Sequence, residues 1–234
     1  MEYYIVFGVF VLALIVGLYA NIKINSAYNR YSKISAESGV TASALARKLL
    51  DAAALNDIEI IRVSGNMTDY YNNKKRQIAL SDGVHDSTSI AALGITAHEF
   101  GHALQYKEGY GLIKLRNVLV PITNFVSVLM WPMLIIGLLL DFVLYTGAVI
   151  GSIFIIVALS TFVLSTILSL ITLPIERDAS RRALRVLETT GTLTEEEMVG
   201  AREILSAAGL TYVAGLLSSV ANLLRILLIF RRRD

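Results

Sequence analysis

The sequence predicts a mainly α-helical integral membrane protein that carries a small α+β domain, and two observations lead there. Over 234 residues the hydrophobic fraction is 55% and the mean hydropathy +0.60, above the apolar share of about 45–50% in an ordinary soluble domain. The apolar residues are also unevenly spread. Uncharged runs occupy the N-terminus, 117–174 and the region before the C-terminus, whereas 22–116 has the mixed polar and charged texture of an aqueous domain. A formal net charge of +2, with basic residues set beside apolar segments, excludes a nucleic-acid partner and points to a lipid bilayer. The absence of cysteine excludes a disulfide framework and any thiolate metal site, so a bound metal must use histidine and carboxylate.

Taken in order, residues 1–21 read as an N-terminal transmembrane anchor. The run Tyr3–Ala20 is uncharged, and some 18 to 20 helical residues at about 1.5 Å each reach across a hydrocarbon core. A cleaved signal peptide is the competing reading, but the start lacks a basic segment and Asn21-Ile22-Lys23 offers no small-residue cleavage pattern.

Within 22–116, Thr41 caps a helix of apolar periodicity running to Ala54. Ile58–Val63 and Gln77–Leu80 are β-rich runs, separated by turn residues at Gly65-Asn66 and Asn72-Asn73-Lys74-Lys75, and read as strands of a hairpin or small sheet. From Ser87 to Tyr106, Ile90, Leu93, Ala97, Phe100 and Leu104 recur at helical steps. Gly109 and Gly111 break that pattern.

The span 117–173 reads as a transmembrane hairpin that turns near Asp141, Thr146 and Gly147, with Pro121 and Pro132 in its first helix. Residues 174–208 return to water, and Thr194 before Glu195-Glu196-Glu197 forms a capping box for a new helix. The last segment, 209–234, is an apolar helix interrupted by Asn222 and Arg225, either spanning or interfacial; the closing Arg231-Arg232-Arg233 mildly favours the interfacial reading. Basic residues follow the first span, precede the second and follow the third, so the positive-inside rule puts the 22–116 domain on the cytoplasmic side of a multi-pass cell-membrane protein.

The chemistry sits in His98-Glu99-Phe100-Gly101-His102. On a helix, positions i and i+4 lie on one face one turn apart, so both imidazoles can meet one ion, and zinc suits them. Glu99 falls at the edge of that face, placed to take a proton from an attacking water, as the pattern H-E-x-x-H requires. Average residue frequencies give such a match by chance in roughly one chain in a hundred of this length. Two of only three histidines fall inside it, on an expected helix. A pair of ordinary helix histidines is the competing reading.

A catalytic zinc needs a third protein donor, and Glu176 is the candidate, because the returning hairpin brings its segment back to the face it left. An interfacial carboxylate paired with Arg177 or Arg181 is the alternative. Asp178 is placed either to support a ligating imidazole or to form a surface salt bridge. His85 is a third-ligand or oxyanion candidate set against a plain loop histidine, and Tyr212 an oxyanion candidate set against packing.

Together, the anchor, Met67-Thr68-Asp69-Tyr70-Tyr71, Ala97–Gln105, Pro174–Ser180 and Leu210–Ala214 resemble the YugP-like neutral zinc metallopeptidases of prokaryotic membranes. The resemblance implies a zincin-like metallopeptidase domain in a gluzincin-like arrangement, with one Zn2+ per chain, His98, His102 and Glu176 as ligands and Glu99 as base. The chain also looks distantly like membrane proteases of the HtpX and CAAX-processing type, whose third glutamate precedes an aspartate four residues on; here that position is Ser180. The expected function is a membrane-bound zinc endopeptidase acting on peptides or membrane proteins, with a substrate strand paired against Gln77–Ser81. The alternative is a non-catalytic membrane scaffold or regulator with a structural metal. A transporter is disfavoured, since Asp141 is the lone charge between Val118 and Thr172.

Overall fold

A computed structural model describes residues 2–144 and 148–231. The expected hairpin turn at Thr146 and Gly147, and Arg232 and Arg233 of the closing triplet, lie outside the described residues. In chain order the elements are α1 (Glu2–Tyr31), α2 (Ala42–Ala52), β1 (Glu59–Val63), β2 (Tyr70–Asn72), β3 (Gln77–Ser81), α3 (Ile90–Lys107), α4 (Gly111–Leu144), α5 (Ala148–Thr189) and α6 (Glu195–Arg231). They divide into two compact units. One comprises Met1–Gly17, Lys114–Leu173 and Tyr212–Asp234, and the other Leu18–Ile113 and Pro174–Thr211.

The first unit is helical. Four described helices contain stretches long and apolar enough to cross a membrane: Tyr4–Tyr31, Gly111–Met130, Leu159–Thr189 and Glu195–Leu228. Their large apolar side chains face outward, with Phe7 67%, Phe125 69% and Val128 75% exposed. Such faces are stable against lipid and costly against water. Four hydroxyls in the apolar part of α5 bond within their helix: those of Ser160, Thr161, Thr166 and Ser169 donate to the carbonyls four residues back, at 2.8–3.1 Å. The chain is thus a mainly helical, multi-pass membrane protein with a small sheet.

Three features differ from the sequence reading. The anchor helix does not stop at residue 21 but runs to Tyr31. The returning helix and the start of segment 174–208 are one helix, α5, which runs through Pro174 to Thr189; a proline costs its helix one hydrogen bond and a local distortion without obliging it to stop. The capped charged segment and the last apolar run are one helix, α6, with no break at Asn222 or Arg225. The capping box itself is present, Thr194 Oγ1 accepting from Glu197 N at 3.3 Å and Glu197 Oε2 accepting from Thr194 N at 2.9 Å.

The second unit is built on α3. Ser89 caps it, its hydroxyl accepting from Ala92 N at 3.2 Å, so the helix starts three residues later than the apolar periodicity suggests. Ile90, Ala91, Leu93, Ala97, Phe100 and Ala103 are buried among residues of α2, the sheet, α5 and α6 in one hydrophobic core. The sheet order is β1-β3-β2, with β1 parallel and β2 antiparallel to β3. Of the two arrangements the sequence allowed, the strands form the small sheet, and one expectation is corrected: Gln77–Ser81 is the central strand with both edges taken, so no substrate strand can pair with it. The open edges belong to β1 and β2.

β2 is fixed at its start by Asp69, whose carboxylate accepts from Ser81 N at 2.7 Å and Ser81 Oγ at 3.1 Å. Gly65, at φ +109°, makes the preceding turn in a region that L side chains avoid. Close packing sets α5 against α3: a Cβ on Gly101 would lie 2.6 Å from Ala179 O and 3.2 Å from Ala179 Cα. Both are backbone atoms, so no rotamer change relieves the clash.

Two tests follow from this packing. Gly101→Ala forces the two helices apart and should cost about 1–3 kcal/mol, the usual range for overpacking, read as a lower thermal midpoint in detergent. Burial holds the Asp69 carboxyl above its usual value of 3.8, against the pull of the Ser81 hydrogen bonds. The folded state therefore keeps this proton to higher pH than the unfolded chain, and stability falls as pH rises from near 3.8 through the raised value. In denaturant melts at stepped pH, the wild type should lose stability relative to Asp69→Asn across that window, with the difference constant above it.

Candidate metal centre

His98 and His102 occupy successive turns of α3, their ring centroids 4.8 Å apart and their planes at 82°. Their side chains are 14% and 13% exposed, and that of Glu176 on α5 is 4% exposed. Glu176 Oε2 lies 3.2 Å from His98 Nε2 and 3.4 Å from His102 Nε2, and one donor atom from each of the three residues falls within 4.8 Å of the others. Bond lengths of about 2.0–2.2 Å to nitrogen and oxygen in a tetrahedron put neighbouring donors about 3.3 Å apart. The donor chemistry, two imidazole nitrogens and a carboxylate oxygen, together with this spacing, fits a zinc ion.

The rings are held from behind. His98 Nδ1 is 3.2 Å from Ser180 Oγ, and His102 Nδ1 is 3.0 Å from Gln105 Oε1. Gln105 is fully buried and donates from Nε2 to Ile175 O at 2.8 Å and to Asp178 Oδ2 at 2.9 Å. Asp178 Oδ2 also accepts from Arg182 Nε at 2.6 Å, and Arg182 Nη1 donates to Glu108 Oε2 at 2.7 Å.

Glu99 is 7% exposed and lies on the same turns of α3 as the two histidines. Burial raises its carboxyl well above the usual range, His98 and His102 pull it down, and Glu176 and Asp69 push it further up. Burial alone would lower the His102 imidazole, but the carboxylates of Glu176 and Glu99 outweigh it and leave the ring above its ordinary value.

The remaining candidates fall elsewhere. Asp178 touches no imidazole; Gln105 stands between it and His102. His85 lies in the loop before α3, with Nδ1 2.6 Å from Asp86 Oδ1, and Asp86 also pairs with Arg62, so it is engaged outside the three-residue group. Tyr212 lies on α6 and is half-buried in the spanning unit. Gln105 and the contact made by Ser180 were missed in the sequence. Their signals were Gln105 standing three residues after His102, on the same helix face, and Ser180 standing four after Glu176.

Comparison with known proteins agrees with this geometry. A family model described as "Putative neutral zinc metallopeptidase" matches residues 5–231. The chain is 38% identical over 219 residues to "Putative membrane protease YugP" of Bacillus subtilis (strain 168), covering 93% of both chains. No solved structure matches significantly. A family match over almost the whole chain and a relative this similar from end to end show that the chain belongs to the neutral zinc metallopeptidase family.

Proposed function

We propose that the protein is a membrane-bound, zinc-dependent endopeptidase with a zincin-like centre, in which His98, His102 and Glu176 hold one Zn2+ and Glu99 is the general base. The observation that carries this reading is the convergence of two imidazole nitrogens of α3 on one carboxylate oxygen of α5, at 3.2 and 3.4 Å. Zinc bound there would supply a Lewis acid that polarises a peptide carbonyl and makes water easier to deprotonate.

The rest of the reaction falls to the chain's own groups. Glu99, buried beside the two imidazoles, takes a proton from the attacking water. It then returns that proton to the nitrogen of the leaving amine. The tight burial of Glu176 and the two imidazoles limits competing water around the reacting bond.

An extended substrate is best received by the open edge of β2, which packs against α3. The exposed side chains of Met67 and Tyr70 sit at that edge, and main-chain pairing there would bind peptides with little regard to sequence. The distribution of Lys and Arg supports a cytoplasmic position for the domain. A structural metal in a scaffold is the other reading. Structural zinc sites are closed by four protein ligands, whereas among the described residues the group here has three, beside the buried carboxylate of Glu99.

Metal content and hydrolysis of a generic peptide, measured on the same detergent-purified samples, test the assignment. The wild type should hold about one zinc per chain; His98→Ala and Glu176→Gln should lose it. Glu99→Gln should keep zinc and lose at least about a hundredfold in rate, the lower bound for a general base; unchanged hydrolysis in this variant would leave the scaffold as the better account. Since the chain has no cysteine, Ser64→Cys introduces a single thiol at an exposed site. In intact cells an impermeant maleimide should label it only after permeabilisation, and labelling before that would put the domain on the outer face.

A further inference from the structure

Gln105 has a fully buried side chain that makes three polar contacts, and only one orientation of its amide satisfies them. Nε2 lies 2.8 Å from Ile175 O and 2.9 Å from Asp178 Oδ2, while Oε1 lies 3.0 Å from His102 Nδ1. A backbone carbonyl and a carboxylate are acceptors, and an amide carries both donor hydrogens on nitrogen. The reverse orientation would set the amide oxygen against two acceptors at under 3 Å, so the network fixes Nε2 toward α5 and Oε1 toward the imidazole.

That orientation dictates the state of the ring. Facing an acceptor, His102 Nδ1 must carry its hydrogen, which leaves Nε2 as the nitrogen with a free lone pair in the neutral imidazole. Nε2 is the atom 3.4 Å from Glu176 Oε2. Asp178 is held in turn by Arg182, and Arg182 by Glu108, so the amide cannot turn over without breaking a run of buried and half-buried polar contacts. The other histidine has no such control. Ser180 Oγ, 3.2 Å from His98 Nδ1, can donate or accept, and so it accommodates either tautomer.

We propose that Gln105 is a positioning residue, which locks His102 as the Nδ1–H tautomer and presents Nε2 to the cation before the cation binds. This rests on the zinc reading given above. The α5 segment that supplies Glu176 would also, through Ile175 O and Asp178, set the proton on the histidine opposite.

The test is the zinc dissociation constant of the full-length protein in detergent, by chelator competition, with the thermal midpoint of each zinc-free form recorded alongside. Gln105→Leu should bind zinc about 10–100-fold more weakly, the range for losing the group behind a ligating histidine. Gln105→Glu should be weakened similarly, because the new carboxylate cannot donate to Ile175 O and faces Asp178. Combining Gln105→Glu with Asp178→Asn keeps the total charge and exchanges carboxylate for amide along the relay. The new amide donates to the new carboxylate, which still accepts from His102 Nδ1, but the amide nitrogen can no longer accept from Arg182 Nε at the same position and Ile175 O stays without its donor, so affinity should recover in part, to clearly tighter than Gln105→Glu.

Because Gln105→Leu empties a buried network, the double variant carries the decision: a purely structural role predicts additive losses and no recovery. Wild-type zinc with a double variant no tighter than Gln105→Glu overturns the relay alone. A wild type that binds no zinc overturns the relay and the metal reading together.

Discussion

The contact between Gly101 on α3 and the backbone of Ala179 on α5 is the constraint from which the centre follows. With no Cβ at Gly101, the α5 backbone comes within a distance that any other residue would forbid. At that separation a short carboxylate side chain reaches both imidazoles, and the Gln105 amide reaches the α5 carbonyl of Ile175. Glycine weakens a helix interior by about 0.5–1 kcal/mol relative to alanine. Here that cost is the condition for bringing a histidine pair and a distant glutamate together.

Several polar groups inside this unit are paired: Ser81 takes up both oxygens of Asp69, Arg182 and Gln105 meet on Asp178, and Tyr31 donates to Glu203 at 2.7 Å. A buried polar atom without such a partner is expensive, and Thr96 Oγ1 on α3 is one among the described residues.

How much of this could be read from the residues depended on range. Helix caps and periodic apolar faces are local, and Thr41, Ser89 and Thr194 act as caps in the structure. The histidine pair is local too, because helix geometry alone places i and i+4 together. Strand partnership is not local: nothing in Ile58–Val63 or Gln77–Leu80 says that the two run parallel with Tyr70–Asn72 on the far side. A three-residue strand is too short for alternation to betray it. Asp178 was expected to support an imidazole directly or to form a surface salt bridge; that Gln105 stands between it and His102 depends on the distance between two helices, and no spacing along the chain encodes that distance.

The donors of the centre are 78 residues apart in the chain, His98 preceding the hairpin and Glu176 following it. At synthesis rates of about 5–20 residues per second, some 4–16 s separate their emergence from the ribosome. Throughout that interval the nascent polypeptide carries the histidine pair and Glu99 but lacks the carboxylate that completes the group. The three-donor arrangement therefore cannot exist until the residues between, most of them apolar, have been made and threaded. Order of manufacture alone keeps an unfinished chain from presenting a finished centre to its neighbours.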